Sequence, residues 1–449
     1  MTPEQRIAEL EKENTALRAQ LEKVLKELEE WKRGHRERGK RRSSRPEVRR
    51  GASGRRPGRE AGHAGAQREV PKKVDRTVEH APPKRCECGG HVKPTGEHRS
   101  TLVEDIPPVR VEVVNHIAHV GRCERCGVAV SEPLPGDTPK GESIARTQIG
   151  PNAAAMAVSL RFDHHVSLAG IATFLDVWFG LRITSGGVSH LLARQGERAQ
   201  PAVDEIQSHI QNAPVVGQDE TGLRQNGVSG WAWIARTDRA SLFRVELSRG
   251  AWVAEQMLGP DFGGVLVTDF YSVYTSHDDW NHAYCGAHLV REAKKIAECS
   301  PGPRSEDFRD RLCAWYVDAK KAQLAGSAST RHGLRSRLGR LMYSGDARLD
   351  DDVRRLQTRL RDRFDGITLF LDRPDVPADN NATERDIRIF ARHRKVTGGT
   401  RSPRGSRTLG QWMSIRQTLR KNGVPLRHFV IRLFDNHRHG KPPPSPFFG

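Results

Sequence analysis

The stretches APVVGQDETG, residues 213–222, and GGVLVTDFYSVY, residues 263–274, decide how this chain is read. Each is a short apolar run leading to an acidic residue, Asp219 in the first and Asp269 in the second. Between them, WAWIARTD and ASLFRVELS are β-rich runs parted by turn residues, and AWVAEQML has helical character. The order is strand, strand, strand, helix, strand, with an aspartate expected at the end of the first and fourth strands. Glu220 rivals Asp219, but neighbouring residues of an extended strand point to opposite faces.

This order opens a ribonuclease H-like α/β domain, expected over residues 213–422. In that arrangement the first and fourth strands are neighbours, so Asp219 and Asp269 meet although about fifty residues separate them. Two magnesium (or manganese) ions need several oxygen ligands each, hence a third carboxylate. DNNATERDIR, residues 379–388, supplies Glu384 early in an Arg-rich helical stretch. Asp386 lies roughly 200° further round that helix and faces away. Asp261, Asp278, Asp279 and Asp375 are further acidic candidates without the strand context. Arg385, Arg388, Arg394 and Lys395 are placed to neutralise a DNA backbone, and Arg401 and Arg404 stand in RKVTGGTRSPRGSRT, a glycine-rich loop suited to phosphates. Two ions roughly 3.5–4 Å apart fit in-line phosphoryl transfer on a diester.

The surroundings agree with a nucleic-acid partner. The chain has 449 residues and a formal net charge of +19, which favours a polyanion. No apolar run approaches a membrane span, and MTPEQRIAEL lacks the apolar core of a signal peptide. Seven cysteines, four of them in short pairs, point to a reducing, cytoplasmic setting and to metal. Residues 1–33 repeat in sevens, with Ile7, Asn14, Leu21 and Leu28 on one apolar position and Leu10, Leu17, Val24 and Trp31 on the other. That is a leucine-zipper coiled coil whose Asn14 fixes the register of a homodimer. Residues 34–75, rich in Arg, Gly and Ser, form a disordered basic linker. In 76–135, Cys86/Cys88 and Cys123/Cys126 sit on glycine turns at either end of TLVEDIPPVRVEVVNHIAHV, which alternates like a strand hairpin. Two thiolate knuckles joined by a hairpin make a four-sulfur structural zinc ribbon, with His80 or His91 as substitutes for a poor ligand in the tight first pair. Residues 140–212 are helical, either a helix-turn-helix with Ser185 and Gly186 at the second helix's N-cap or a scaffold, and 423–449 is a C-terminal tail.

Taken together, the chain resembles the insertion-sequence-66 family of DDE transposases. The likeness spans almost the whole chain and rests on several motifs in order: the zipper start, GHAG before the cysteines, the paired cysteines, Gln-Asp-Glu-Thr at 218–221, and Thr-Asp-Phe-Tyr-Ser-Val-Tyr at 268–274. Cys285-Gly-Ala-His288-Leu, Asp379-Asn-Asn-x-x-Glu384-Arg385 and Thr418-Leu-Arg-Lys-Asn-Gly complete it. The resemblance implies that Asp219, Asp269 and Glu384 are the catalytic metal-binding triad. It also implies that about 293–375 is a helical insertion in the catalytic domain. Read from the residues themselves, Cys285 and His288 face one side of a helix start; two ligands alone make a poor zinc site, so they either support the site, with His288 near it or a phosphate, or simply pack. The implied activity is cleavage and strand transfer of DNA at the terminal inverted repeats of the element and in target DNA. The implied setting is a bacterial, nucleoid-associated homodimer or higher oligomer working with accessory transposition proteins. A non-catalytic DNA-binding descendant is the alternative; the three carboxylates favour the enzyme. The chain departs from the family in its one-residue Cys86/Cys88 spacing and in Thr383, where Ala is commoner.

Overall fold

The structure, a computed structural model, describes residues 70–107, 109–131, 149–277, 280–343 and 351–448, together with Glu22. The zipper over 1–33 and nearly all of the 34–75 linker lie outside the described residues. The chain divides into two units, Met1–Asp105 and Ile106–Gly449.

In the first unit the cysteines lie on a tight turn. The Cys86 amide donates to the Gly90 carbonyl (2.9 Å) and the Gly89 amide to the Cys86 carbonyl (2.8 Å), while Arg85 and His91 bridge antiparallel beside them. Gly89, at φ 87°, takes the left-handed turn position that a side chain would strain. The second unit repeats the device. Strands β1 (Gly121–Arg122) and β2 (Ala129–Val130) flank a turn in which the Cys123 amide donates to Val128 and the Gly127 amide to Cys123, with Gly127 at φ 71°. The tight Cys-x-Cys pair thus makes the same kind of turn as Cys-x-x-Cys, one residue shorter. The hairpin expected over residues 101–120 is not there: among the described residues this stretch carries no strand. Its period-two pattern needs a layer to cover one face, and Val103, Ile106 and Val113 are 81%, 82% and 90% exposed.

The α/β part is a five-stranded sheet in the order β5-β4-β3-β6-β7. Its strands are β3 (Val215–Gln225), β4 (Val228–Arg236), β5 (Ser241–Glu246), β6 (Val265–Thr268) and β7 (Asn281–Tyr284). β3, β4 and β5 form an antiparallel meander, and β3, β6 and β7 run parallel. The first and fourth strands of this sheet, β3 and β6, are therefore neighbours. β3 does not end at Asp219. It continues to Gln225 and turns back through Asn226 and Gly227, both at positive φ, as a two-residue hairpin requires. What ends near Asp219 is the parallel ladder, whose last β3–β6 pair is Gly217 with Val267.

Helices α1 (Pro151–Phe162), α2 (Leu168–Phe179), α3 (Ser185–Arg198) and α4 (Gln200–Gln211) precede the sheet. They are not a separate domain. One hydrophobic core joins Phe162, Ile171, Leu191 and Ile206 to Trp233 and Phe243 of the sheet and to Trp412. The N-cap of α3 is Thr184, one residue before the expected position; its hydroxyl accepts from the Gly187 amide (3.0 Å). α3 buries Val188, Leu191 and Leu192, and none of its fully exposed positions is Lys or Arg. That is the profile of a scaffold helix rather than of one laid in a major groove.

α5 (Ala251–Leu258) and α6 (Ser272–Thr275) flank β6. After β7 come α7 (Gly286–Cys299), α8 (Pro303–Ala325), α9 (Ala328–Tyr343), α10 (Asp351–Asp362) and α11 (Phe364–Thr368). They build a second core, with Trp315, Leu338 and Leu356 against Val267 and Tyr284. α12 (Asn381–Thr397) returns to the sheet, and α13 (Pro403–Lys421) covers edge strand β5. Ser414 and Thr418 of α13 accept from the amides of Phe243 and Ser241 (2.8 and 3.1 Å), so a helix satisfies the donors that an open edge would expose. The segment 423–449 is no loose tail. α14 (Leu426–Arg438) buries Phe429 and Val430, and Phe447 packs on His209 (4.9 Å between rings). Among the described residues no helix is long and apolar enough to cross a membrane.

Candidate active site

The parallel pairings of β3 with β6 and of β6 with β7 end along one edge of the sheet, and the carboxyl ends of parallel strands are where α/β folds gather functional groups. Asp219 lies two residues past the last β3–β6 pair, Asp269 is the first residue after β6, and Cys285 is the first after β7, opening α7. Asp269 is turned by a local hydrogen bond from the Tyr271 amide (2.9 Å), and Asp219 accepts from the Glu220 amide (2.9 Å).

Glu384 arrives from α12, in whose first turn a carboxylate also complements the helix dipole. Its side chain is 19% exposed and pairs with Arg291 at 2.6 Å, with His288 and Arg388 each at 3.8 Å. Burial, first, and then the charges of Glu220, Asp269 and Glu384 push the Asp219 carboxyl up to about 7, so all three sequence candidates share one electrostatic neighbourhood. They are close without being clenched. Among the described residues no three His, Cys, Asp or Glu side chains stand near enough to grip a metal as they are.

The rival Glu220 is accounted for otherwise. It is 4% exposed, salt-bridged to Arg249 (2.6 Å), and accepts from the hydroxyl of buried Tyr274 (2.6 Å). Asp386 does face away from Glu384, into a buried cluster with Lys421 (2.8 Å) and Arg236 (3.3 Å), so it is a structural carboxylate and not an idle one.

Cys285 is buried, and its sulfur accepts from the Asn380 amide (3.1 Å). Burial raises its thiol pKa, and no described contact joins it to a metal-type cluster. His288 lies beside Glu384, with Nδ1 buried and unpartnered; burial and then Arg291 lower its pKa.

Of the basic candidates, Arg385, Arg388, Lys395 and Arg401 are exposed. Arg394 is committed to β3, donating to Thr221 Oγ1 and the Gly222 carbonyl (3.2 and 2.5 Å), and Arg404 is paired with Glu197 (3.0 Å). The stretch expected as a glycine-rich loop is mostly helical, since α12 runs to Thr397 and α13, with Arg404, starts at Pro403. The short link 398–402 is held against the β3–β4 hairpin, the Thr400 amide donating to the Arg224 carbonyl and the Asn226 amide to the Thr400 carbonyl (2.9 and 2.8 Å). Gly399, at φ 110°, passes so close to the Arg224 carbonyl that a Cβ would stand 2.1 Å from it.

Sequence reasoning missed Arg291 and Arg249. Arg291 was findable, three residues after His288 on the same face of α7. In the cysteine turns, hydrogen bonds from the backbone and side chain of Cys88 lower the Cys86 pKa, and bonds from the Cys126 and Arg125 backbone lower that of Cys123.

Two family models match. Residues 146–408, more than half of the chain, match the transposase IS66 family, and residues 83–127 match the zinc-finger binding domain of transposase IS66. Three proteins of Sinorhizobium fredii are similar. Uncharacterized protein y4jO is 28% identical over 152 residues, 33% of this chain and 47% of its own length, so the match spans about half of that relative. Uncharacterized proteins y4hP and y4jD are each 23% identical, over 76% and 75% of this chain and 68% and 71% of theirs.

Proposed function

This chain belongs to the transposase IS66 family, and from that premise we propose that its α/β part is a ribonuclease H-like DDE domain. In this reading it cleaves DNA at the ends of its own mobile element and joins those ends to target DNA. The observation that supports this best is the shared edge where Asp219 is pushed up to about 7 by burial and by Glu220, Asp269 and Glu384. Like charges held together at a partly buried edge are costly unless a cation offsets them. A set of hard carboxylate oxygens suits magnesium or manganese better than a soft-ligand metal. Asp219, Asp269 and Glu384 are the residues that would hold such ions, which supply activation of the attacking oxygen and stabilisation of the leaving one.

The remaining roles fall to the chain's own cations. Arg385, Arg388, Lys395 and Arg401 bind phosphates from the exposed face. Arg291 stays beside Glu384, where its guanidinium meets a diester's non-bridging oxygens, and His288, its pKa lowered by burial, stands there as a neutral imidazole. The zinc-finger match over residues 83–127 supports structural zinc, and Cys86, Cys88, Cys123 and Cys126 are proposed as its ligands. The zipper is proposed to pair two chains.

The deciding experiment is Glu384→Gln, which keeps shape and removes charge. Strand cleavage of element-end DNA should fall by roughly three or more orders of magnitude, since metal activation supplies much of the rate. Binding of the same DNA should persist, because Lys and Arg contacts elsewhere carry it. Near-normal cleavage by the folded variant would overturn the proposal.

A further inference from the structure

We propose that Asn380 is a positioning residue that locks the Glu384 helix onto β3 and thereby sets how far Glu384 stands from Asp219. The proposal rests on the reading of Asp219, Asp269 and Glu384 as the reactive carboxylates. Asn380 occupies the N-cap of α12, where an Asn side chain ordinarily accepts a hydrogen bond from its own helix. Here it makes no such cap. Instead its side-chain amide reaches across to donate to the Gln218 carbonyl at 2.7 Å, the residue before Asp219 and just past the last β3–β6 pair. Its backbone amide donates to the Cys285 sulfur at the end of β7 (3.1 Å), and its carbonyl accepts from the Glu384 amide (3.0 Å). One 3%-exposed residue therefore ties together β3, the β7–α7 junction and the helical turn that carries Glu384.

Three neighbours support the same junction. Gly217 lies so close to α12 that a Cβ would stand 2.2 Å from Thr383 Oγ1 and 3.0 Å from Asn380 Oδ1. Asp379 is held by Lys320 (2.8 Å) and Tyr316 (2.9 Å) of α8, so the helical segment after β7 braces the same turn. Burial pushes the Asp379 pKa up, but its hydrogen bonds from Lys320 and Tyr316 outweigh that and hold it low, keeping the brace charged. Asn380 and Glu384 are about one turn apart, roughly 6 Å along the axis, so a tilt at Asn380 moves Glu384 directly.

The test uses the full chain and three readouts: manganese binding followed by the spin-resonance signal of free Mn²⁺, cleavage of element-end DNA against magnesium concentration, and the thermal midpoint. Asn380→Ala and Gly217→Ala should each raise the half-saturating Mn²⁺ concentration by about tenfold or more. Cleavage at saturating metal should fall by about a hundredfold. Gly217→Ala combined with Thr383→Ala, which removes the obstructing hydroxyl, should recover much of both. Ile210→Val, a core change in α4 remote from this edge, should lower the thermal midpoint and leave metal binding unchanged. Should Asn380→Ala not fold, Cys285→Ala removes only the sulfur acceptor and should weaken Mn²⁺ binding by about threefold or more. Folded Asn380 and Gly217 variants with native Mn²⁺ affinity and cleavage, alongside a dead Glu384→Gln, would overturn the positioning role and leave the carboxylate reading standing. An active Glu384→Gln would remove the carboxylate reading itself.

Discussion

The helix that carries Glu384 also buries His393, and this makes stability depend on pH in a way that can be worked out. His393 is fully buried, neither ring nitrogen has a hydrogen-bond partner, and the His165 ring stands 5.6 Å away. Burial, then Arg161 and His165, bring its pKa from 6.5 down to about 3. The folded state therefore keeps the ring neutral over a range where the unfolded chain binds a proton. Stability is fully present above pH 6.5 and falls as pH drops, until the folded pKa is reached. The slope is about 1.4 kcal/mol per pH unit, so the loss at pH 5 is about 2 kcal/mol relative to pH 7.5. Other groups titrate in the same range, so the measurement is a difference. Unfolding free energies come from urea titrations of the full chain and of His393→Leu, followed by tryptophan fluorescence; between pH 7.5 and pH 5 the full chain should lose about 2 kcal/mol relative to the variant. Whatever Leu costs in packing cancels from this difference. Parallel pH profiles for the two proteins would refute the buried, neutral imidazole.

Asp386→Asn should lower stability by roughly 3 kcal/mol, because it strips the counter-charge from Lys421 and Arg236 in a cluster only 14% exposed at Asp386. Below its melting temperature that variant should still cleave DNA, unlike Glu384→Gln, and thermal melts with a cleavage assay separate the two. Purified chain should carry about one zinc, the number that four cysteine ligands hold. Cys123→Ser with Cys126→Ser should abolish it, and elemental analysis that finds the metal retained would contradict the proposed ligands.

The succession strand, strand, strand, helix, strand and the helices that follow were legible because each depends on short-range signals. Short apolar runs at Val215 and Val265 mark strands, and the turn residues between the β-rich runs mark their separation. Asp219 and Asp269 were singled out because apolar runs lead straight into them. Local pattern misled where a partner layer decides the outcome. Residues 101–120 alternate like strands, yet among the described residues they carry no strand, and Val103 and Val113 are 81% and 90% exposed. KPPPSPFFG looks unstructured yet seats Phe447 on His209. Residues 140–212 read only as helical, helix-turn-helix or scaffold, and the core they share with the sheet through Trp412, whose indole donates to the Leu192 carbonyl (3.0 Å), is not visible in that pattern.

The sequence by itself determined which residue types stand where and the local preferences that follow: acidic groups after strands, glycines at turns, cysteines in pairs, and a helix that starts near Asn381. Only the tertiary structure decided what each polar group faces. Nothing in DNNATERDIR distinguishes Glu384, beside Arg291 and Asp219, from Asp386, buried on Lys421, except their angle round a helix whose docking the sequence does not state. Nor does it reveal that Asn380 turns from its own helix to the Gln218 carbonyl, or that Gly217 is there for Thr383. The physical reason is range. Backbone preference acts over a few residues, whereas the pairing, burial and charge that define a site come from segments tens to more than a hundred residues apart, brought together only when the shared core closes.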